Sequence, residues 1–234
     1  MSKKTIIILL SLSVIITAFF IFVNYSDDLE VSQNKYNNDD IIVLIDPGHG
    51  GEDGGAVSSG GVIESNVNLS FSLKLKTIMN LNGFKTVLTR IDDSDLGDKS
   101  LETIAQRKKS DMYKRLELYN SDIHNVAISI HQNIFPADAC RGTQVFYSTM
   151  VDSSKDLADN ITNVIVSTLQ NDNQRISKPT NGSIFLLDNA KVPAVIVECG
   201  FLSNKDEVNL LCDKEYQKKF SYCVYLGFLN TGFN

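Results

Sequence analysis

Three histidines occur in the 234 residues, and two stand where side chains could do chemistry. His49 lies in Asp46-Pro47-Gly48-His49-Gly50-Gly51, just past one apolar run, and His131 directly follows another. Two carboxylates occupy comparable places. Glu64 closes the glycine-rich loop that starts at His49, and Glu198 closes the apolar run Pro193-Ala194-Val195-Ile196-Val197. Two imidazoles with one or two carboxylates at one sheet edge fit a two-histidine, one-glutamate catalytic zinc site, which keeps a fourth position open for water. A charge ending so apolar a run calls for a partner, because an unpaired buried carboxylate is costly. His124 precedes its strand, at the opposite edge, and reads as a surface residue.

Other chemistries have less support. The run 48–53 spells G-x-G-x-x-D rather than G-x-G-x-x-G, and no G-K-[ST] follows, so a nucleotide-phosphate cradle is weak. A cysteine hydrolase would need Cys140 or Cys199. Cys199 follows Glu198 in the strand direction, so its side chain should face away from the site. The four cysteines (140, 199, 212 and 223) have no C-x-x-C spacing and are expected to be free thiols.

These residues converge only if the elements between them build a layered sheet. Apolar runs at 41–45, 84–89, 126–130, 143–147 and 194–198 read as strands. Amphipathic patterns at 66–81, 100–119 (with Ser100 as a cap) and 157–169, and a pair within 205–230, read as helices. Strands spaced by helices predict a single α/β domain, a twisted, mostly parallel sheet flanked by helices. Ligands of such sheets bind outside the carboxyl ends of the strands, where His49, His131 and Glu198 fall.

Composition agrees: 43% hydrophobic and 21% charged residues exclude a largely disordered chain. The net charge is −6, of which residues 41–234 carry −4. A mildly acidic body without a basic stripe argues against nucleic acid as a partner. Ahead of it, Lys3 and Lys4 precede the uncharged run 5–23, which as a helix covers about 28 Å, close to a bilayer core of roughly 30 Å. The sequence thus divides into a signal anchor at 1–25, an acidic linker at 26–40 and a catalytic body at 41–234. The lysines place the body outside the membrane. Residues 22–26 offer no small-x-small cleavage site, so an uncleaved anchor is expected, with cleavage and secretion as the alternative.

The ordered set of motifs resembles the zinc-dependent N-acetylmuramoyl-L-alanine amidases of the amidase-3 type. It runs from Ile45-Asp46-Pro47-Gly48-His49-Gly50-Gly51 through Glu64, Asn68-Leu69, Thr89-Arg90 and Arg115. It continues with Ser129-Ile130-His131-Gln132-Asn133 and ends at Glu198-Cys199-Gly200-Phe201-Leu202-Ser203-Asn204. The resemblance implies Zn2+ held by His49, Glu64 and His131, with Glu198 as the catalytic carboxylate. It implies hydrolysis of the amide between N-acetylmuramic acid and the L-alanine of a peptidoglycan stem peptide.

Gln132 where the family usually has Ala, Cys199 after Glu198, and Gly142-Thr143-Gln144-Val145-Phe146-Tyr147 are similar to the spore-cortex and germination branch. That branch makes the cut needed for muramic-lactam formation, in the forespore envelope. The resemblance names no accessory protein. A non-catalytic peptidoglycan-binding module of the same fold is the alternative; it would have lost a ligand or Glu198. Asp46 or Asn133 would orient the histidines or the substrate, or else simply bond the loop. Arg90, Arg115 and Arg141 would pair with carboxylates of the stem peptide or of the protein.

With the body outside, protease added to intact protoplasts is expected to degrade residues 41–234. Their protection would rule out this topology.

Overall fold

The central strands form where the sequence runs apolar without alternation, the pattern of strands buried on both faces. In the computed structural model, which describes residues 41–137 and 140–233, six strands make one sheet. They are β1 (Ile42–Pro47), β2 (Lys85–Leu88), β3 (Asn125–Asn133), β4 (Gln144–Tyr147), β5 (Lys178–Pro179) and β6 (Ala194–Phe201), in the order β2-β1-β3-β6-β4-β5. Four pairings are parallel and β4 runs antiparallel to β6, so the sheet is mixed but mostly parallel. The expected signal anchor and acidic linker lie outside the described residues. Among the described residues no helix is long and apolar enough to cross a membrane.

The helices are α1 (Glu64–Leu81), α2 (Ile104–Tyr119), α3 (Ser153–Thr168), α4 (Phe185–Asn189), α5 (Lys205–Cys212) and α6 (Lys214–Asn230). On one face of the sheet, Phe71, Leu75 and Met79 of α1, Leu157 and Ile161 of α3, and Phe220 and Phe228 of α6 bury Val43, Ile45, Ile128, Val195 and Val197. On the other, Tyr119 of α2 and Leu187 of α4 pack on Leu44, Ala127, Ala194 and Ile196. Because strand side chains alternate, this second face also carries Asp46, Ser129, His131 and Glu198 at the carboxyl ends of the strands. Cys199 falls on the first face and is fully buried there, away from the site as expected. All four cysteines are free thiols.

Several expected boundaries shift. α2 starts at Ile104 rather than after Ser100, because Thr103 accepts from the Gln106 N–H and the Gln106 side chain accepts from the Thr103 N–H, a capping box. Ser100 instead closes a turn on Asp98. The strands expected to end at 130 and 198 continue to Asn133 and Phe201 through a register shift between His131 and Asn133. β5 and α4, with two and five residues, are too short to leave a periodic pattern.

The end of β1 is fixed by charge. Asp46 is fully buried, and its Oδ1 accepts from the Thr89 hydroxyl at 2.6 Å and from the Arg115 guanidinium. Its Oδ2 accepts from Tyr119 at 2.8 Å and Ser129 at 2.9 Å. Burial pushes this carboxyl up, but Arg115 and the hydroxyls outweigh it and hold it at about 2. Arg115 also donates to the carbonyls of Pro47 and His49 and to Asp111, while Arg90 donates to the carbonyls of Pro47, Gly48 and Ser65. Both arginines are therefore internal, and they supply the donors that the loop after β1 lacks.

Asp46→Asn breaks the buried pair while Asp111 still faces Arg115, so a loss of about 3 kcal/mol is expected at pH 7, the low end for such pairs. An aspartate held at about 2 against an ordinary value near 3.9 stabilises the fold above pH ~4, and that contribution fades as pH falls through 2. Urea unfolding at pH 7 and pH 3 should therefore show a smaller gap between parent and variant at pH 3. An equal gap at both pH values would remove the electrostatic account.

Candidate metal centre

The loop after β1 doubles back through short bridges, Gly50 with Asp53 and Val57 with Ile63, and delivers Glu64 beneath His49. His49 Nε2 lies 3.3 Å from Glu64 Oε1, and His131 Nδ1 lies 3.1 Å from the same oxygen. The two imidazoles meet edge to face with centroids 4.9 Å apart. One ligand atom from each of His49, Glu64 and His131 falls within 4.8 Å of the others, though 67 residues separate Glu64 from His131. These are the three residues that the motifs single out as ligands.

Glycine makes this approach possible. A Cβ on Gly48 would lie 2.2 Å from His131 Nε2, and one on Gly55 would lie 2.5 Å from Glu64 Oε2. His49 itself has φ 61°, a left-handed backbone on a non-glycine residue. Such strain costs on the order of 1–3 kcal/mol and persists only where surrounding contacts over-determine it, here Arg115 on the His49 carbonyl.

The donor set fits zinc. Two imidazole nitrogens and a carboxylate oxygen converge, and His49 Nδ1 is held at 2.9 Å by Asp53, as the outer nitrogen of a metal-binding histidine usually is. Lys108 in turn holds the other Asp53 oxygen at 2.7 Å. Although burial works against its charge, Asp53 and Glu64 raise His49 to about 9. Burial pushes Glu64 up, but His131 and His49 together hold it well below the usual carboxylate range.

Two sequence expectations need correction. Glu64, read above as closing the glycine-rich loop ahead of a helix at 66–81, is not a loop residue. It is the first residue of α1, buried, with Oε2 accepting from the Ala56 N–H at 2.8 Å and Oε1 from the Gln132 N–H at 3.0 Å and Asn68 Nδ2 at 3.3 Å. Glu198 does not have the hydrogen-bonding partner that its apolar run called for. Its Oε2 is buried without one among the described residues. Burial pushes the carboxyl up to about 7, with His131 pulling against it. Register puts Glu198 directly opposite His131 on neighbouring parallel strands, so both share the second face.

Both, with His49, open into a cavity of about 490 Å³ whose other walls include Lys109 and Met112 of α2 and Phe185 and Leu186 of α4. Arg141 pairs with Asp172, and His124 with Asp122 at the surface. Asn133 contributes its carbonyl to Leu202.

Sequence reasoning missed Asp53, Asn68 and Gln132 as supports. Asn68 sits one helical turn from Glu64, a spacing that does signal a shared face. Gln132 Nε2 donates to Asn68 Oδ1 at 3.1 Å, so the residue that departs from the usual alanine braces the Glu64 network.

The sequence profile described as N-acetylmuramoyl-L-alanine amidase, Amidase_3, matches residues 43–230. A germination-specific N-acetylmuramoyl-L-alanine amidase of Bacillus subtilis (strain 168) is 34% identical over 188 residues, 80% of this chain and 78% of that protein. Among solved structures, the CwlD amidase from Clostridioides difficile in complex with the GerS lipoprotein is similar with a TM-score of 0.78. Its identity is 34%, over 82% of this chain and 98% of that one. An N-acetylmuramoyl-L-alanine amidase from Clostridium difficile 630 is similar with a TM-score of 0.68 at 27% identity, over 81% and 95% of the two chains. With a profile covering most of the chain and relatives at this identity, the chain belongs to the N-acetylmuramoyl-L-alanine amidase family.

Proposed function

We propose that this chain is a zinc-dependent hydrolase of the amide between N-acetylmuramic acid and the L-alanine of the peptidoglycan stem peptide. His49, Glu64 and His131 hold the metal and Glu198 is the catalytic carboxylate. The observation that carries the reading is the convergence of two imidazoles and Glu64 beside a second glutamate, one oxygen of which is buried and has no hydrogen-bond partner among the described residues, in a chain of this family. A binding module would have lost one of the four residues, and all four are present.

Zinc bound there supplies Lewis acidity toward water and the amide oxygen. Glu198 accepts the proton of the attacking water and delivers it to the nitrogen of the departing alanine. A carboxyl raised to about 7 suits both transfers at neutral pH. Glu64, already fixed by three N–H donors, needs no rearrangement to serve as a ligand. His49 must shed its proton to donate a lone pair, so metal uptake below pH 9 releases a proton.

The germination-specific relative and the CwlD similarity support a role in the spore cortex, in the cut that leads to muramic lactam. We place the body, residues 41–234, outside the membrane and tethered through residues 1–25 and the linker at 26–40. The GerS complex of the CwlD amidase makes a lipoprotein the class of accessory partner to test.

Metal content and muropeptide products of the purified full-length protein test the activity. Glu198→Gln keeps size but cannot accept a proton. It should retain zinc and lose about 10²–10⁴-fold in turnover. Glu64→Ala removes a ligand and also the acceptor for three N–H groups. It should lose zinc and stability together, and excess zinc should restore little. Zinc loss in Glu198→Gln, with metal and activity kept in Glu64→Ala, would reverse the two roles.

A further inference from the structure

Three cations line the cavity, and they differ in what they hold. Arg115 is committed to Asp46 and Asp111. Lys108 sits 2.7 Å from Asp53, the carboxylate that positions His49. Lys109 makes no ion pair among the described residues. Its ammonium lies 5.9 Å from the centroid of the Tyr113 ring, one turn further along α2. Tyr113 in turn meets Phe185 of α4 edge to face at 5.0 Å. The half-exposed ring thus bridges the two helices that wall the cavity, and the exposed ammonium lies near its face at the rim. A cation held at a site and left without a counter-charge is available to a ligand.

The chemistry of the proposed substrate decides which part of it this cation meets. In that substrate the lactyl carboxyl of the sugar is consumed in the scissile amide, and the sugar nitrogen is acetylated and neutral. The negative charge of a single muramoyl peptide therefore lies on its peptide. Of the carboxylates at the cavity, Asp46, Asp53 and Asp111 are already paired, and Glu198 makes no ion pair with Lys109.

We propose that Lys109, placed at the rim beside the Tyr113–Phe185 ring pair, is a specificity-determining residue that selects stem peptides bearing a free carboxylate over amidated ones. This inference rests on the amidase reading above. A rim-exposed ion pair contributes up to about 1 kcal/mol, which is about fivefold. It acts on binding, so it should enter through KM rather than kcat. Salt should weaken it.

The test uses the zinc-loaded full-length protein and two N-acetylmuramoyl peptides that differ only in having free carboxylates or carboxamides. The parent should favour the acid peptide about fivefold in kcat/KM at low salt, and less at high salt. Lys109→Met should bring the ratio close to one, and Lys109→Arg should keep it. Tyr113→Ala, which releases the ammonium, should lower it. Lys219→Met removes the same charge from α6, on the other face of the sheet, and should leave the ratio at the parent value.

A ratio near one in the parent, or a ratio in Lys109→Met equal to the parent's, overturns the inference. Equilibrium binding of both peptides to the Glu198→Gln protein, with and without Lys109→Met, separates it from the reading beneath it. Absence of turnover in the parent together with binding that depends on Lys109 removes the amidase reading alone. Turnover with neither rate nor binding sensitive to Lys109 removes the specificity role alone.

Discussion

The buried pair between Asp46 and Arg115 is the constraint from which the site follows. A loop of Pro47, Gly48, His49 and Gly50 leaving the end of a central strand turns carbonyls toward buried side chains. Each unpaired one is costly. Arg115 reaches that region because Asp46 makes its burial tolerable, and Asp46 stays charged because Arg115 is there. With the guanidinium fixed, its other donors meet the carbonyls of Pro47 and His49, and Arg90 takes those of Pro47, Gly48 and Ser65. The left-handed backbone of His49 is stable only within this frame. Removing the pair would relax the loop that carries the first imidazole as well as exposing a charge.

The two glutamates of the site differ through what surrounds them. Glu64 accepts from three N–H groups and faces two imidazoles, all of which favour its charged form. Glu198 lies between His131 and Gln144 on the neighbouring strands and has, among the described residues, a buried oxygen with no donor, so burial favours its neutral form. A carboxylate held charged suits a cation; one poised near neutrality suits a proton in transit. Environment distinguishes the two carboxyls, where residue type alone does not.

Much of this was readable from residues. The continuous apolar runs gave the central strands, and Asp46-Pro47-Gly48-His49, Glu64, His131 and Glu198 marked the site because each falls at the end of a run or the start of a helix. What could not be read depended on contacts distant in sequence. The placement of Glu64 by the Gln132 N–H requires knowing that β3 lies over α1. The pairing of Arg115 with Asp46 spans 69 residues, so only the fold decides whether that arginine serves the protein or a substrate. Thr103 outcompetes Ser100 as a cap because Gln106 stands three residues on to complete the box, a local signal open to closer reading.

Register then turns a set of strands into a site. Asp46 pairs with Ser129, and His131 with Glu198, so the polar residues of three strands point to one face while their neighbours Ile45, Ile130 and Val197 point to the other. A slip of one residue in β6 would send Glu198 into the core beneath α3 and bring Cys199 to the site instead. The apolar weight of the first face resists that slip, because every buried side chain of the strand would change sides together. The irregularity between β3 and β6 comes only after His131 and Glu198, where it no longer affects their alignment. The hydrophobic core on one face thus fixes the position of the Glu198 carboxyl on the other.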